Sequence, residues 1–251
     1  MSVHEPPLLY DARDGVATIT LNRPEHRNAL DLAMCEALLA AARAAAADGA
    51  LRLVFVRGAG GAFCAGADLK ERRTMDEQAV LARRLRALFA YEALEQLPMP
   101  VVALVDGAAV GSGVEITAAC DFAIATSRAQ FWTPEALWGT VGATQRLARI
   151  VGRRLAKDMM FSGRRLDAAA ALQAGLVTRV VEPHALADAA RALADTLVKA
   201  PPLAVRLAKR CIDRSVQPGG RGALAEELLA IEDNLAGSDW RAGIAGFGEK
   251  A

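Results

Sequence analysis

Apolar and polar positions alternate along VATITL (Val16–Leu21), the period-two signature of a strand with one buried face. NRPEHRN (Asn22–Asn28) is punctuated by proline and asparagine and reads as a loop. From Ala29 to Ala47 alanine and leucine dominate and Asp48-Gly49 stops the run, so a helix is expected there. LRLVFVRG (Leu51–Gly58) is a compact strand that breaks into the glycine turn Gly58–Gly61. Asp76 to Leu97 carries the spacing of a charged amphipathic helix, closed by Pro98 and Pro100. VVALVDG (Val101–Gly107) is almost wholly apolar, as a strand covered on both faces would be. A helix is expected over Gly113–Ala119, a strand over DFAIAT (Asp121–Thr126) and a short extended piece at AQFW (Ala129–Trp132). Beyond about Gly142 the pattern is helical nearly throughout, interrupted by the strand-like GLVTRVV (Gly175–Val181).

Strands alternating with helices make the fold class α/β, with parallel pairing in the first two thirds of the chain. From roughly Pro183 onward a helical appendage is expected, either as additional core or as an oligomer interface and lid.

Composition narrows the function classes. At 251 residues and 53% hydrophobic, the chain can bury a large core. A formal charge of +1 and a pI near 7.7 make the whole molecule no electrostatic trap for nucleic acid. The four cysteines (Cys35, Cys64, Cys120, Cys211) are scattered without a CxxC, and His4, His26 and His184 form no cluster. Neither a metal site nor a Cys/His nucleophile is expected; the cysteines read as small core hydrophobes in a reducing compartment. MSVHEPPLLY has no basic start and no apolar stretch, and no apolar run reaches membrane-spanning length. A soluble cytoplasmic protein is the expectation.

Chemistry concentrates in three segments: GAFCAGADLK (Gly61–Lys70), GAAVGSGVEITAACD (Gly107–Asp121) and FWTPE (Phe131–Glu135). The first two are glycine-rich turns leading toward helices. Glycine leaves backbone N–H groups open to approach, and a helix start adds the positive end of its dipole. CAGAD alone could be merely a tight turn, with Asp68 suited to cap the next helix. In VGSGVE, Glu115 falls in the first turn of an otherwise apolar helix, where a buried carboxyl calls for a task. Glu135 alone is an ordinary first-turn acid after Thr133 and Pro134. Two sets of N–H groups can hold an oxyanion, and two carboxyls can move a proton at the neighbouring carbon. Together they read as an enzyme acting on an acyl thioester through an enolate.

The ordered landmarks NRP and NAL, FCAGADL, GSGVE, CDFAIA, AQFWTPE, TQRLARIVG, GRRLDAAAALQAGLV and VVEP resemble the crotonase (enoyl-CoA hydratase/isomerase) superfamily. The likeness runs from LNRPEHRNAL at Leu21 to FGEK at Phe247–Lys250, nearly the whole chain. It implies a crotonase core of repeated ββα units over 1–182, holding the site for a coenzyme A thioester. It implies a helical trimerisation and lid region over 183–251, a homotrimer or dimer of trimers, and a place in fatty acid metabolism. No resident cofactor, metal, nucleic acid or membrane is expected; coenzyme A arrives as part of the substrate.

Carried over by position, the oxyanion hole is the N–H groups of Ala67 and Ser112, and Glu115 and Glu135 are the catalytic carboxylates. The residues expected to bind substrate or coenzyme A are Arg23, Arg27, Ala65, Gly66, Asp68, Leu69, Gly111, Trp138, Phe247 and Lys250. Retention of both glutamates points to a hydratase adding water syn to an enoyl-CoA. The alternatives are an isomerase needing one glutamate, an acyl-CoA or β-diketone hydrolase on the same scaffold, and an idle partner or RNA-binding member. Two departures stand out: Ser112 where the family often has glycine, and Ala136–Leu147, which looks a few residues short. Trp132 and Trp138 are either core packing or an aromatic wall, and Arg72, Arg73, Arg83, Arg84 and Arg86 read as a solvated helix face.

Overall fold

The computed structural model describes residues 5–215 together with Glu232, Leu235, Ala236 and Arg241. Its strands are β1 (Leu8–Arg13), β2 (Val16–Leu21), β3 (Leu53–Gly58), β4 (Val101–Val105), β5 (Ala108–Val110), β6 (Phe122–Thr126), β7 (Gln130–Trp132), β8 (Leu166–Asp167) and β9 (Arg179–Val181). Its helices are α1 (Leu32–Ala47), α2 (Leu69–Arg72), α3 (Glu77–Glu95), α4 (Ser112–Ala119), α5 (Gln145–Ser162), α6 (Ala168–Gln173), α7 (Leu186–Lys199) and α8 (Pro202–Ser215).

The main sheet has six strands in the order β1-β2-β3-β4-β6-β9. The β1/β2 pair is antiparallel and every other pair in it is parallel. Period-two alternation divides its side chains between two layers. Ala17, Ile19, Val54, Val56, Ala103 and Val105 face the large core under α1 and α3. Leu53, Phe55, Val102, Leu104 and Ile124 face the other way, against Ala190 and Leu193 of α7. β4 is therefore buried along its whole length, which explains its uninterrupted apolar sequence.

The pattern misses β1, because only Leu8 of LLYDAR is buried and no alternation remains to be seen. Backbone pairing with β2, from Leu8 opposite Leu21 to Arg13 opposite Val16, holds it there. α1 starts at Leu32 rather than Ala29: Arg27 and Asn28 take left-handed φ values of 50° and 57°. Asp31 then caps the helix by accepting from Met34 N. Asp76 caps α3 in the same way through Ala79 N. No helix among the described residues is long and apolar enough to cross a membrane.

A second, three-stranded sheet, β5-β7-β8, brings the glycine turns together. Phe63 N and Cys64 N both donate to Ala108 O at 3.0 Å, and Val110 N donates to Cys64 O at 2.8 Å. Leu30 N donates to Gly66 O and Asp68 N to Leu30 O, each at 2.8 Å, so the loop before α1 clamps the same turn. Gly113 allows this closeness, since a Cβ there would stand 2.5 Å from Cys64 O.

Candidate active site

The stacked turns border a cavity of about 460 Å³. Ala67 and Ser112 both line it, and neither N–H donates to a backbone carbonyl in the turns, loops and caps of the described residues. Ser112 is the first residue of α4, so its N–H has no acceptor within the helix. Two donors converging on a cavity from separate segments are what an oxyanion requires.

Gly111, which caps α4, has φ 51° and ψ −107° and donates its N–H to Trp132 O at 2.8 Å. The Glu135 carboxylate lies directly over its Cα: a Cβ at this position would be 2.5 Å from Glu135 Oε1. Glycine is thus required at 111 for its dihedral and for the space it leaves to a carboxylate. Glu135 opens a short 3₁₀ turn (Glu135–Trp138), lines the cavity and is 9% exposed.

Glu115 is 1% exposed, one turn into α4, with its N–H on Gly111 O at 3.0 Å. Its carboxylate pairs with Arg84, Oε2 to Nη2, at 3.3 Å. Arg84 lines the cavity and Glu115 does not, so the second glutamate stands one side chain behind the wall. Burial pushes the nearby Tyr91 phenol well above its ordinary value, and the Glu115 charge adds to the shift. Ser112 also lies against that phenol.

The chain matches the family model for enoyl-CoA hydratase/isomerase over residues 11–251. It belongs to that family. The enoyl-CoA hydratase domain-containing protein 2 of Bos taurus is 40% identical over 246 residues, covering 94% of this chain and 82% of the relative. The short-chain-enoyl-CoA hydratase of Clostridium acetobutylicum is 36% identical over 241 residues, covering 94% and 92%. A solved enoyl-CoA hydratase/isomerase from Xanthobacter autotrophicus Py2 superposes with a TM-score of 0.87 at 34% identity, over 97% of this chain and 93% of that one. The architecture is the crotonase fold, and the chain is an enzyme of that superfamily.

Within this family member, the residues expected from the sequence divide cleanly. Arg27, Ala65, Gly66, Asp68, Leu69, Gly111 and Trp138 line the cavity with Ala67, Ser112 and Glu135. Arg27 and Lys70 belong to the exposed part of that lining. Phe247 and Lys250 lie outside the described residues.

Arg23 is a correction. Its guanidinium is held by Asp31 at 3.1 Å, by Asp68 at 3.0 Å and by Ala29 O at 2.6 Å. It ties the first loop to the α2 cap and is not among the residues that line the cavity, unlike the expectation that it faces the substrate. Asp68 is engaged on both sides, since its Oδ1 also accepts from Lys70 N and Glu71 N. That backbone pairing and Arg23 hold the carboxyl below its usual range despite partial burial, which opposes the shift.

The arginine-rich helix face is a second correction. Arg73 and Arg86 are exposed as expected, but Arg72, Arg83 and Arg84 turn inward and line the cavity. Arg72 is 7% and Arg83 3% exposed. Arg83 pairs with Glu71 at 3.3 Å and donates to Leu30 O. Arg72 Nη1 donates to Thr140 Oγ1 at 3.1 Å and Arg84 Nη2 to Val141 O at 3.2 Å. Gly142 packs against the Arg84 guanidinium, where any Cβ would collide. Arg72 and Arg84 fasten the segment after Glu135. The signal was present in the sequence: Arg83 and Arg84 fall in phase with Val80, Ala87, Leu88, Tyr91 and Leu94, the buried stripe of α3.

Trp132 and Trp138 meet edge to face with ring centroids 5.6 Å apart, and both line the cavity. Arg165 lies 4.3 Å over Trp132 from behind. They form an aromatic wall instead of core packing alone. Cys35, Cys64 and Cys120 are buried and free, their thiols pushed up by burial, Cys35 to about 11 and Cys64 to about 12. Among the described residues no group of histidine, cysteine and carboxylate side chains could hold a metal ion.

Proposed function

We propose that this enzyme is an enoyl-CoA hydratase adding water syn across the conjugated double bond of its substrate. The observation that carries this is Glu135 held over Gly111 at the head of α4, with Ser112 N–H next in the chain and Glu115 one turn on. The thioester oxygen accepts hydrogen bonds from Ala67 and Ser112, which draws electrons out of the double bond and leaves the β-carbon open to attack. Water adds its oxygen there. Glu115 accepts the proton that the water loses, and a protonated Glu135 hands its proton to the α-carbon; once the product leaves, solvent water carries a proton from Glu115 back to Glu135, so the net change is one added water. Oxygen and proton arrive from a single region between two carboxylates, hence on one face. Removing either carboxylate is expected to lower turnover by about 10²- to 10⁴-fold.

The experiment is the ultraviolet absorbance of crotonyl-CoA mixed with the enzyme, beside Glu115→Gln and Glu135→Gln. Loss of the conjugated signal that both substitutions abolish supports hydration. Full activity in Glu115→Gln would sink the two-carboxylate scheme.

One observation favours a second activity on the same scaffold. Glu115 sits behind Arg84, outside the cavity lining. A site with Glu135 alone in reach would shuttle a proton between the α- and γ-carbons and move the double bond. Product analysis separates the two, because isomerisation of a 3-enoyl-CoA creates the conjugated absorbance that hydration destroys.

The homotrimer, or dimer of trimers, belongs to the same proposal. Phe161, Leu203 and Ile212 are 63%, 67% and 64% exposed, apolar surface that subunit contacts would cover. Sedimentation equilibrium tests it: a monomer at micromolar concentration would refute it.

A further inference from the structure

The cavity has two unlike ends. Glu25, His26, Arg27 and Lys70 lie at the exposed end, suited to a large hydrophilic tail. Arg72, Arg83 and Arg84 lie at the buried end with Trp138, Val141 and Leu235. With the thioester oxygen between Ala67 and Ser112, the tail leaves by the exposed end and the acyl chain points at the buried one. An acyl pocket for an ordinary fatty chain needs apolar walls, because desolvating guanidinium groups against methylenes is unfavourable. This one is lined by three arginines, Arg72 and Arg83 buried and Arg84 largely so, with Arg83 paired to Glu71 and Arg84 to Glu115.

We propose that the acyl group of the substrate ends in a carboxylate, so that the substrate is the monothioester of an unsaturated dicarboxylic acid, bound at its far end by Arg72 and Arg84. The inference rests on the cavity taking an acyl-CoA thioester and names the class of acyl group.

The geometry supports these two arginines in particular. Arg83 is turned toward Glu71 and Leu30 O, away from the loop side of the cavity. Arg72 reaches across to the hydroxyl of Thr140, and Arg84 to Val141 O, so both guanidinium groups stand at the segment that closes the acyl end. Burial brings Arg72 down to about 10, and the charges of Arg84 and Arg83 push in the same direction; an arriving anion relieves that crowding. Planar guanidinium groups also suit the bidentate geometry of a carboxylate.

The test is binding by titration calorimetry of glutaryl-CoA against valeryl-CoA, saturated analogues of matched length that differ in the terminal carboxylate and cannot react. Glutaryl-CoA is expected to bind about 10- to 100-fold more tightly, the range of a buried charge-assisted pair. Arg72→Gln and Arg84→Gln are each expected to shrink that ratio, an internal comparison in which any general loss of folding cancels. Equal affinities in the wild-type enzyme would overturn the proposal, as would a ratio that survives both substitutions. Hydration of glutaconyl-CoA is measured separately. Tight glutaryl-CoA binding with glutaconyl-CoA left intact would leave the anionic acyl group standing and remove the hydratase assignment.

Discussion

Replacing Gly111 by alanine should separate the catalytic carboxylate from its seat without touching a catalytic side chain. The new Cβ would stand 2.5 Å from Glu135 Oε1, whereas Cβ contacts essentially never fall below 3.0 Å and become ordinary only beyond 3.4 Å. Glu135 must therefore retreat by about half an ångström to one ångström, and displacements of that size cost about 10²-fold in rate. The backbone at 111, with φ 51° and ψ −107°, lies where an L side chain is strained. That adds about 1–3 kcal/mol of destabilisation, a fall in thermal midpoint of several degrees at this chain length. The assay is loss of conjugated enoyl absorbance, with circular dichroism to establish that the variant is folded. kcat should fall about 100-fold while KM moves little, because the oxyanion donors and both ends of the cavity are retained. Gly111→Ala placed on Glu135→Gln should lose little more than Glu135→Gln alone, because both act through one carboxylate. Wild-type turnover in Gly111→Ala, or losses that simply multiply in the double variant, would refute this account.

Three further outcomes are expected. Arg84→Met leaves the Glu115 carboxylate, 1% exposed, without this cation, which should destabilise the fold by about 3–5 kcal/mol; adding Glu115→Gln should recover part of the lost thermal midpoint, and an unchanged midpoint in Arg84→Met would contradict the pairing. Asp106 accepts from Arg128 at 2.5 and 2.6 Å and from Thr126 at 2.8 Å, and the Arg128 pairing holds its carboxyl below the usual range. A depressed carboxyl contributes stability above its unfolded value and loses it as pH falls through the folded one, so the gap in midpoint between wild type and Asp106→Asn should close on acidification below about pH 4; a widening gap would show the wrong sign. Cys35, Cys64 and Cys120 should resist alkylation at pH 8 until the chain unfolds, counted by mass spectrometry, since their thiols are buried and raised; rapid native labelling at any of them would contradict the packing.

Most of the scaffold was legible because its elements follow single rules. VATITL alternates and is β2, residue for residue. The apolar run at Val101 is a strand covered on both faces, and Asp48 and Asp76 mark helix ends where expected. β1 was invisible because it is held by backbone pairing and buries one side chain. β5 and β8 have three and two residues, too few to show a period. At the site, the sequence showed two glycine turns before helices, and the structure brings Ala67 and Ser112 to one cavity. The roles of the arginines were not legible. Arg23 looked like a surface cation and is neutralised by two aspartates, one of them 45 residues away in sequence. Arg83 and Arg84 looked solvated because charge was given more weight than phase, although their phase with Val80 and Leu88 placed them inside.

The segment after Glu135 and the inward-turned Arg72 and Arg84 form one structural unit. Arg72 donates to the Thr140 hydroxyl and Arg84 to Val141 O, and Gly142 is small enough to let Arg84 in. The same Arg84 reaches Glu115, so the geometry of the loop, the charge facing the acyl chain and the setting of the second carboxylate are linked through one side chain. A change in any of the three must be felt by the others.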